Sequence, residues 1–188
     1  NTTREDRKGL TVVTRVVGLD NRELFARTDR LDALANRATP LAAVPLDTIF
    51  VKTPMVLVSL RLTDRRGKLV SENFYWRGKA PASYRALGAL AQAPLILTAG
   101  APTLDRQDKV VRVVLQNRSP TPALNAKLTL VNGSAERILP AFYSDNYVSL
   151  LPGETRVIEV RYPASHAAPP FFMLGGWNVA PQSLVPAK

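Results

Sequence analysis

The densest set of groups able to do chemistry lies in one short segment, Ala141-Phe142-Tyr143-Ser144-Asp145-Asn146-Tyr147. Aromatic rings here surround an acid, an amide and a hydroxyl, between Pro140 and Pro152. Rings that stack on a sugar, with amide and carboxylate groups that bond its hydroxyls, are suited to a carbohydrate site. Tyr143, Ser144, Asp145, Asn146 and Tyr147 are therefore the candidate cleft or domain-contact residues. The plainer reading of the string is an aromatic corner in which Asp145 and Asn146 satisfy turn amides. Phe74-Tyr75-Trp76 poses the same choice and reads as core and domain-interface packing.

Other chemistries find little support. Glu72, Asp105, Asp108, Glu136, Asp145, Glu154 and Glu159 could supply the carboxylates of glycoside hydrolysis, but most fall beside turns or at outward strand positions. Asp105 and Asp108 are accompanied by Arg106 and Lys109, with no Asp-x-Asp-x-Asp calcium pattern. The one histidine, His166, sits in Pro163-Ala164-Ser165-His166-Ala167-Ala168-Pro169 and reads as a loop residue. Cysteine is absent, which excludes disulfides, thiol nucleophiles and thiolate zinc sites. No Gly-x-Ser-x-Gly, P-loop or Gly-x-Gly-x-x-Gly string occurs. No catalytic, metal-ligating or cofactor-binding residue is assigned. Asn1-Thr2-Thr3, Asn117-Arg118-Ser119 and Asn132-Gly133-Ser134 match the glycosylation sequon.

The elements that must position these groups are strands. Val56, Val58, Leu60 and Leu62 alternate on one face of a strand from Met55 to Asp64. Asp64-Arg65-Arg66-Gly67-Lys68 reads as a hairpin turn with Gly67 free to take positive φ, and Leu69–Trp76 as the return strand. Leu10–Val17 is β-rich and ends in Gly18-Leu19-Asp20-Asn21; Leu24–Leu31 and Ala42–Val51 read as weaker strands, the latter bent by Pro45. Ser83–Gln92 reads as a short helix capped by Ser83 and weakened by Gly88. Beyond it, Leu95–Thr98, Lys109–Asn117, Asn125–Val131, Thr155–Tyr162 and Phe171–Leu174 read as strands, closed by Trp177-Asn178-Val179. The Ser119–Pro122 stretch and Leu151-Pro152-Gly153-Glu154 read as turns.

The expectation is an all-β chain: two immunoglobulin-like antiparallel β-sandwich domains at residues 1–78 and 94–188, joined by a short helical linker at 79–93. At 188 residues the chain can hold one large domain or two small ones. Proline at 15 residues, about 8% against a norm near 5%, favours turns and sheet edges over long helices. No apolar run approaches the ~20 residues of a membrane span. Lys and Arg total 25 against 15 Asp and Glu, a net charge of +10. The arginines are scattered, the densest patches being Arg4 to Lys8 and Arg65 to Lys68. No aromatic-interleaved basic motif points to RNA, so no nucleic acid partner is expected.

Several strings fall together in order: Glu72-Asn73-Phe74-Tyr75-Trp76, Leu139 to Tyr147, Leu150 to Thr155, and Gly176-Trp177-Asn178-Val179. In this order and spacing they resemble the C-terminal region of glycoside hydrolase family 2 enzymes, in the subgroup of β-mannosidases, exo-β-D-glucosaminidases and endo-β-mannosidases. The resemblance implies an accessory fragment of a retaining glycosidase, first of the β-mannosidase type and alternatively of the exo-β-D-glucosaminidase type. It implies as partners a TIM barrel carrying both catalytic glutamates, N-terminal β-domains, and an oligosaccharide substrate met through the whole enzyme. It also implies that the first sandwich is incomplete at its N-terminus, its missing strands coming from another polypeptide, and that the setting is secreted or periplasmic. A stand-alone tandem immunoglobulin-like adhesion or carbohydrate-binding module is the contrasting expectation.

Overall fold

The computed structural model describes residues 1–165 and 170–187. It is all-β and antiparallel, and divides into two compact units, Asn1–Ala89 and Leu90–Lys188.

The first unit carries strands β1 (Arg7–Val17), β2 (Glu23–Ala33), β3 (Met55–Thr63) and β4 (Leu69–Gly78), in one sheet of order β2-β1-β3-β4. Among the described residues this is the unit's one sheet. Alternation sets its faces. Val16 and Val58 are register partners on one face, and buried Val56 lies on the same face two residues along β3. They pack with Ile49 and with half-buried Val44, Leu46 and Phe50. The layer over this end of the face is therefore the 44–50 segment. That segment differs from the expected Ala42–Val51 strand: it holds a four-residue helix, α1 (Leu46–Ile49). Pro45 is its N-cap, where the missing N–H costs the helix no hydrogen bond and the carbonyl accepts the first one. Ile49 N then donates to Pro45 O at 3.2 Å and Phe50 N to Leu46 O at 2.8 Å.

The β3–β4 turn is as read: Asp64 N bonds Lys68 O at 2.9 Å, and Gly67 takes φ +77°. The expected Ser83–Gln92 helix is instead a 3₁₀ helix, Pro81–Ala89. Leu87 is its one buried residue, so no apolar stripe favours α-winding over a tighter turn.

The second unit is a two-sheet sandwich. One sheet has the order β10 (Val148–Leu150), β8 (Ala123–Val131), β12 (Phe171–Gly175), β13 (Gln182–Leu184). The other has the order β5 (Leu95–Ala99), β7 (Asp108–Asn117), β11 (Thr155–Pro163), β9 (Phe142–Tyr143), with β6 (Thr103–Asp105) also paired to β7. Val111, Val113 and Leu115 from β7 share the core with Ile158, Val160 and Tyr162 from β11, against Leu128 and Leu130 from β8 and Phe172 and Leu174 from β12. Burying each large apolar side chain contributes about 1.5–3 kcal/mol, so these alternating rows account for much of the fold's stability.

Two buried amides hold the corners. Asn117 Nδ2 donates to Thr121 O and Leu150 O, both at 2.9 Å, and its Oδ1 accepts from Ser119 N and Oγ. Asn178 Nδ2 donates to Ala91 O and Pro122 O, and its Oδ1 accepts from Leu124 N, all at 2.9 Å. Each amide replaces a stretch of missing ladder with side-chain bonds, which buried backbone groups require.

Candidate functional site

Strand β8 is paired unequally on its two sides. β12 runs beside it from Lys127 to Val131, whereas β10 reaches only Ala123 and Ala126. Past Ala126 the open side of β8 is completed by two side chains of the 138–147 segment and the backbone amide of Ile138, before an isolated bridge pairs Val131 with Arg137. Asn146 Oδ1 accepts from Leu128 N at 2.9 Å, and Asn146 Nδ2 donates to Leu128 O at 3.0 Å. These are the two bonds that a neighbouring strand's peptide groups make. Two residues on, Tyr143 Oη accepts from Leu130 N at 2.8 Å, and Ile138 N donates to Leu130 O at 3.1 Å.

Tyr143 reaches β8 from the opposite sheet. It belongs to β9, in register with Val160 of β11, and packs against the core. Burial pushes its phenol pKa up, opposed by the bond to Leu130 and the charge of Arg137. Ser144 docks on the same strand as β9 does: its N–H donates to Glu159 O and its Oγ accepts from Glu159 N, both at 2.9 Å. Asp145 Oδ1 accepts from Asn146 N at 2.9 Å, while Oδ2 pairs with Arg156 Nη1 at 3.3 Å.

Tyr147 differs from the other four. It takes φ +56°, and its side chain is held outward with the residue 55% exposed. Lys127 Nζ lies 5.4 Å from its ring centroid. Leu139 and Phe142 are likewise exposed. A shallow groove of about 190 Å³ runs past Lys127, Thr129, Arg137, Leu139, Tyr143 and Tyr147. Of the five candidates, then, Tyr143, Ser144 and Asn146 commit polar atoms to the unit's own backbone. Asp145 faces an arginine, and Tyr147 presents a ring outward.

The other acids are engaged in similar ways. Arg161 Nη2 bonds Asp105 at 2.7 Å and its Nη1 lies 3.5 Å from Asp108. The hydrogen bond that Arg161 donates to Asp105 is the main cause holding that guanidinium pKa above its usual range. Glu154 Oε2 accepts from Leu151 N at 2.8 Å, and Glu136 Oε2 accepts from Asn132 at 3.0 Å. Among the described residues no group of three His, Cys, Asp or Glu could hold a metal. No helix there is long and apolar enough to cross a membrane. His166 lies outside the described residues. At the Asn117 sequon the side-chain amide is fully buried and its nitrogen donates to both Thr121 O and Leu150 O, so the folded chain offers no free acceptor nitrogen there. In the first unit, an open cavity of about 570 Å³ is lined by Asp20, Glu23, Phe25, Lys52 and Met55, but Glu23 pairs with Arg15 at 2.9 Å.

Comparison with known proteins places both units. Residues 73–179 match the family described as exo-beta-D-glucosaminidase Ig-fold domain, and residues 1–80 match the mannosidase Ig/CBM-like domain. An exo-beta-D-glucosaminidase of Streptomyces avermitilis is 33% identical over 153 residues, covering 70% of this chain and 17% of that protein. An exo-beta-D-glucosaminidase of Amycolatopsis orientalis is 29% identical over 204 residues, covering 95% and 19%. The crystal structure of the Amycolatopsis orientalis exo-chitosanase CsxA superposes with TM-score 0.84 at 27% identity, over 98% of this chain and 24% of that one. The chain thus spans about a fifth of the length of the curated relatives it matches.

Proposed function

The chain belongs to the exo-β-D-glucosaminidase Ig-fold domain family, and from that premise we propose that it is the accessory portion of a retaining glycosidase acting on β-linked glucosamine. Its two units are Ig-like domains of the glycoside hydrolase family 2 kind. The β-mannosidase reading gives way to the glucosaminidase one because the longer matches, along 70% and 95% of the chain, are to glucosaminidases.

The observation that carries the accessory role is the state of the polar groups in the 143–147 segment. Retaining hydrolysis needs two carboxyl groups about 5–5.5 Å apart, one as nucleophile and one as acid. Here Asp145 is paired with Arg156, and Asp105 and Asp108 share Arg161. Tyr143, Ser144 and Asn146 brace the sandwich. The outward side chains of Leu139, Phe142 and Tyr147 then face a neighbour, either the catalytic barrel or the wall of its cleft. Export to the cell exterior or periplasm is part of the same proposal, since polymeric glycan does not enter the cell.

The test uses the intact parent enzyme, assayed with p-nitrophenyl β-D-glucosaminide and p-nitrophenyl β-D-mannoside. Turnover of the glucosaminide is expected to exceed that of the mannoside, and Phe142→Ala with Tyr147→Ala to raise KM or loosen the enzyme's domains under limited proteolysis. Preferred turnover of the mannoside refutes the substrate class. Unchanged kinetics and proteolysis refute the contact.

A further inference from the structure

We propose that one end of the first unit binds linear anionic polysaccharide through a cluster of exposed cations. Arg4 to Lys8 and Arg65 to Lys68 lie some sixty positions apart in the sequence, and the β1–β3 register brings them together. Thr11 is the partner of Thr63, so the start of β1 lies beside the β3–β4 turn. The contact is direct: a Cβ built on Gly9 would meet Arg65 Cγ at 2.6 Å, which places the Arg65 side chain on the Gly9 backbone. Gly9 accommodates this with φ +65°.

Arg4, Arg7, Lys8, Arg65, Arg66 and Lys68 are all exposed, and among the described residues none of them forms an ion pair. The neighbouring aspartates are turned onto backbone. Asp32 accepts from Gly9 N at 2.7 Å, Asp6 from Ala35 N at 2.8 Å, and Asp64 from Arg66 N and Lys68 N at 2.8 and 2.9 Å. The charged heads that project into solvent are therefore mostly positive. Charge is also unevenly divided along the chain. Residues 1–89 hold 16 of the 25 Lys and Arg and nine of the 15 Asp and Glu, which is +7 of the net +10.

The chemistry of the patch selects its ligand. Side chains this exposed do not enclose a single small anion, so affinity must be summed over many contacts along a polymer, with release of its counterions. Arginine forks match carboxylate and sulfate groups. No aromatic residue occurs within 4–8 or 64–68, so nucleobases find no stacking platform.

The experiment measures binding of the full chain to heparin and to polygalacturonate across a salt series. The variants are Arg65→Gln/Arg66→Gln/Lys68→Gln, Arg4→Gln/Arg7→Gln/Lys8→Gln, and a control, Arg77→Gln/Lys79→Gln/Arg85→Gln, which removes the same charge from the far end of β4 and beyond. Each of the first two is expected to weaken binding at least tenfold and to lower the log–log salt slope by about two, from roughly 0.7 per lost contact. The control is expected to change binding less than twofold. The second variant supplies an independent reading if the turn variant melts early. Equal losses in all three variants, no loss in either cluster variant, or tighter binding to single-stranded DNA of equal charge would overturn the proposal.

Discussion

Replacing Asn146 by alanine separates the two roles open to the 143–147 segment. The substitution removes three hydrogen bonds: from Leu128 N, to Leu128 O, and from Tyr147 N. A net contribution near 1 kcal/mol per bond gives about 3 kcal/mol. The Tyr147 amide is exposed and regains water, whereas the Leu128 groups are partly buried and regain it less well. The expected loss is thus about 2 kcal/mol, with the largest local effect at Leu128. Urea unfolding followed by far-UV circular dichroism measures the stability. Amide hydrogen exchange at Leu128 reads the local opening, where 2 kcal/mol corresponds to roughly thirtyfold faster exchange. Tyr147→Ala is the companion: its exposed ring makes the expected loss below about 0.5 kcal/mol. A loss under 0.5 kcal/mol for Asn146→Ala, with unchanged exchange at Leu128, would refute the view that this amide completes β8.

Two further outcomes follow from buried polar groups. Tyr162 is 1% exposed and its hydroxyl finds no hydrogen-bond partner among the described residues, so Tyr162→Phe is expected to be neutral or to raise stability by up to about 1 kcal/mol, read from the melting temperature. Burial raises the pKa of both Tyr143 and Tyr162, so the folded form holds these protons more tightly than the unfolded chain. Their contribution is complete below the unfolded value near 10 and is lost as pH rises from there through the folded values, an alkaline limb that should shrink in Tyr162→Phe. Asn117→Ala leaves Leu150 O, Thr121 O and Ser119 N without their amide partner and is expected to cost about 3 kcal/mol or more in chemical denaturation.

The strands that alternate cleanly were legible in the sequence. β3, β7 and β11 each set apolar residues two apart, and the core uses those residues. Short elements were not. β9, β10 and β13 have two or three residues each, too few for a period, and β9 is fixed in part by the Ser144 side chain. The 42–51 segment misled because its apolar content suits a strand as well as a short helix, and Pro45 decided between them. At the candidate site the composition was visible but the directions were not. Nothing in Tyr-Ser-Asp-Asn-Tyr says that the first tyrosine turns inward to a backbone amide and the last is held outward by a positive φ. The two densest cationic runs are visible in the sequence but not their adjacency, because linear distance hides a register that only β1 and β3 create.

Finishing β8 with side chains rather than with another strand has a consequence for self-association. A strand edge closed by a strand is protected by many residues together; between Leu128 and Leu130 this one depends on an asparagine, a tyrosine and a single backbone amide. Loss of Asn146 leaves the Leu128 N–H and C=O facing outward in extended geometry, a template onto which a second molecule can add a strand. Asn146 therefore guards this edge against self-association as well as adding stability, and the aggregation expected of Asn146→Ala is read by light scattering at rising protein concentration.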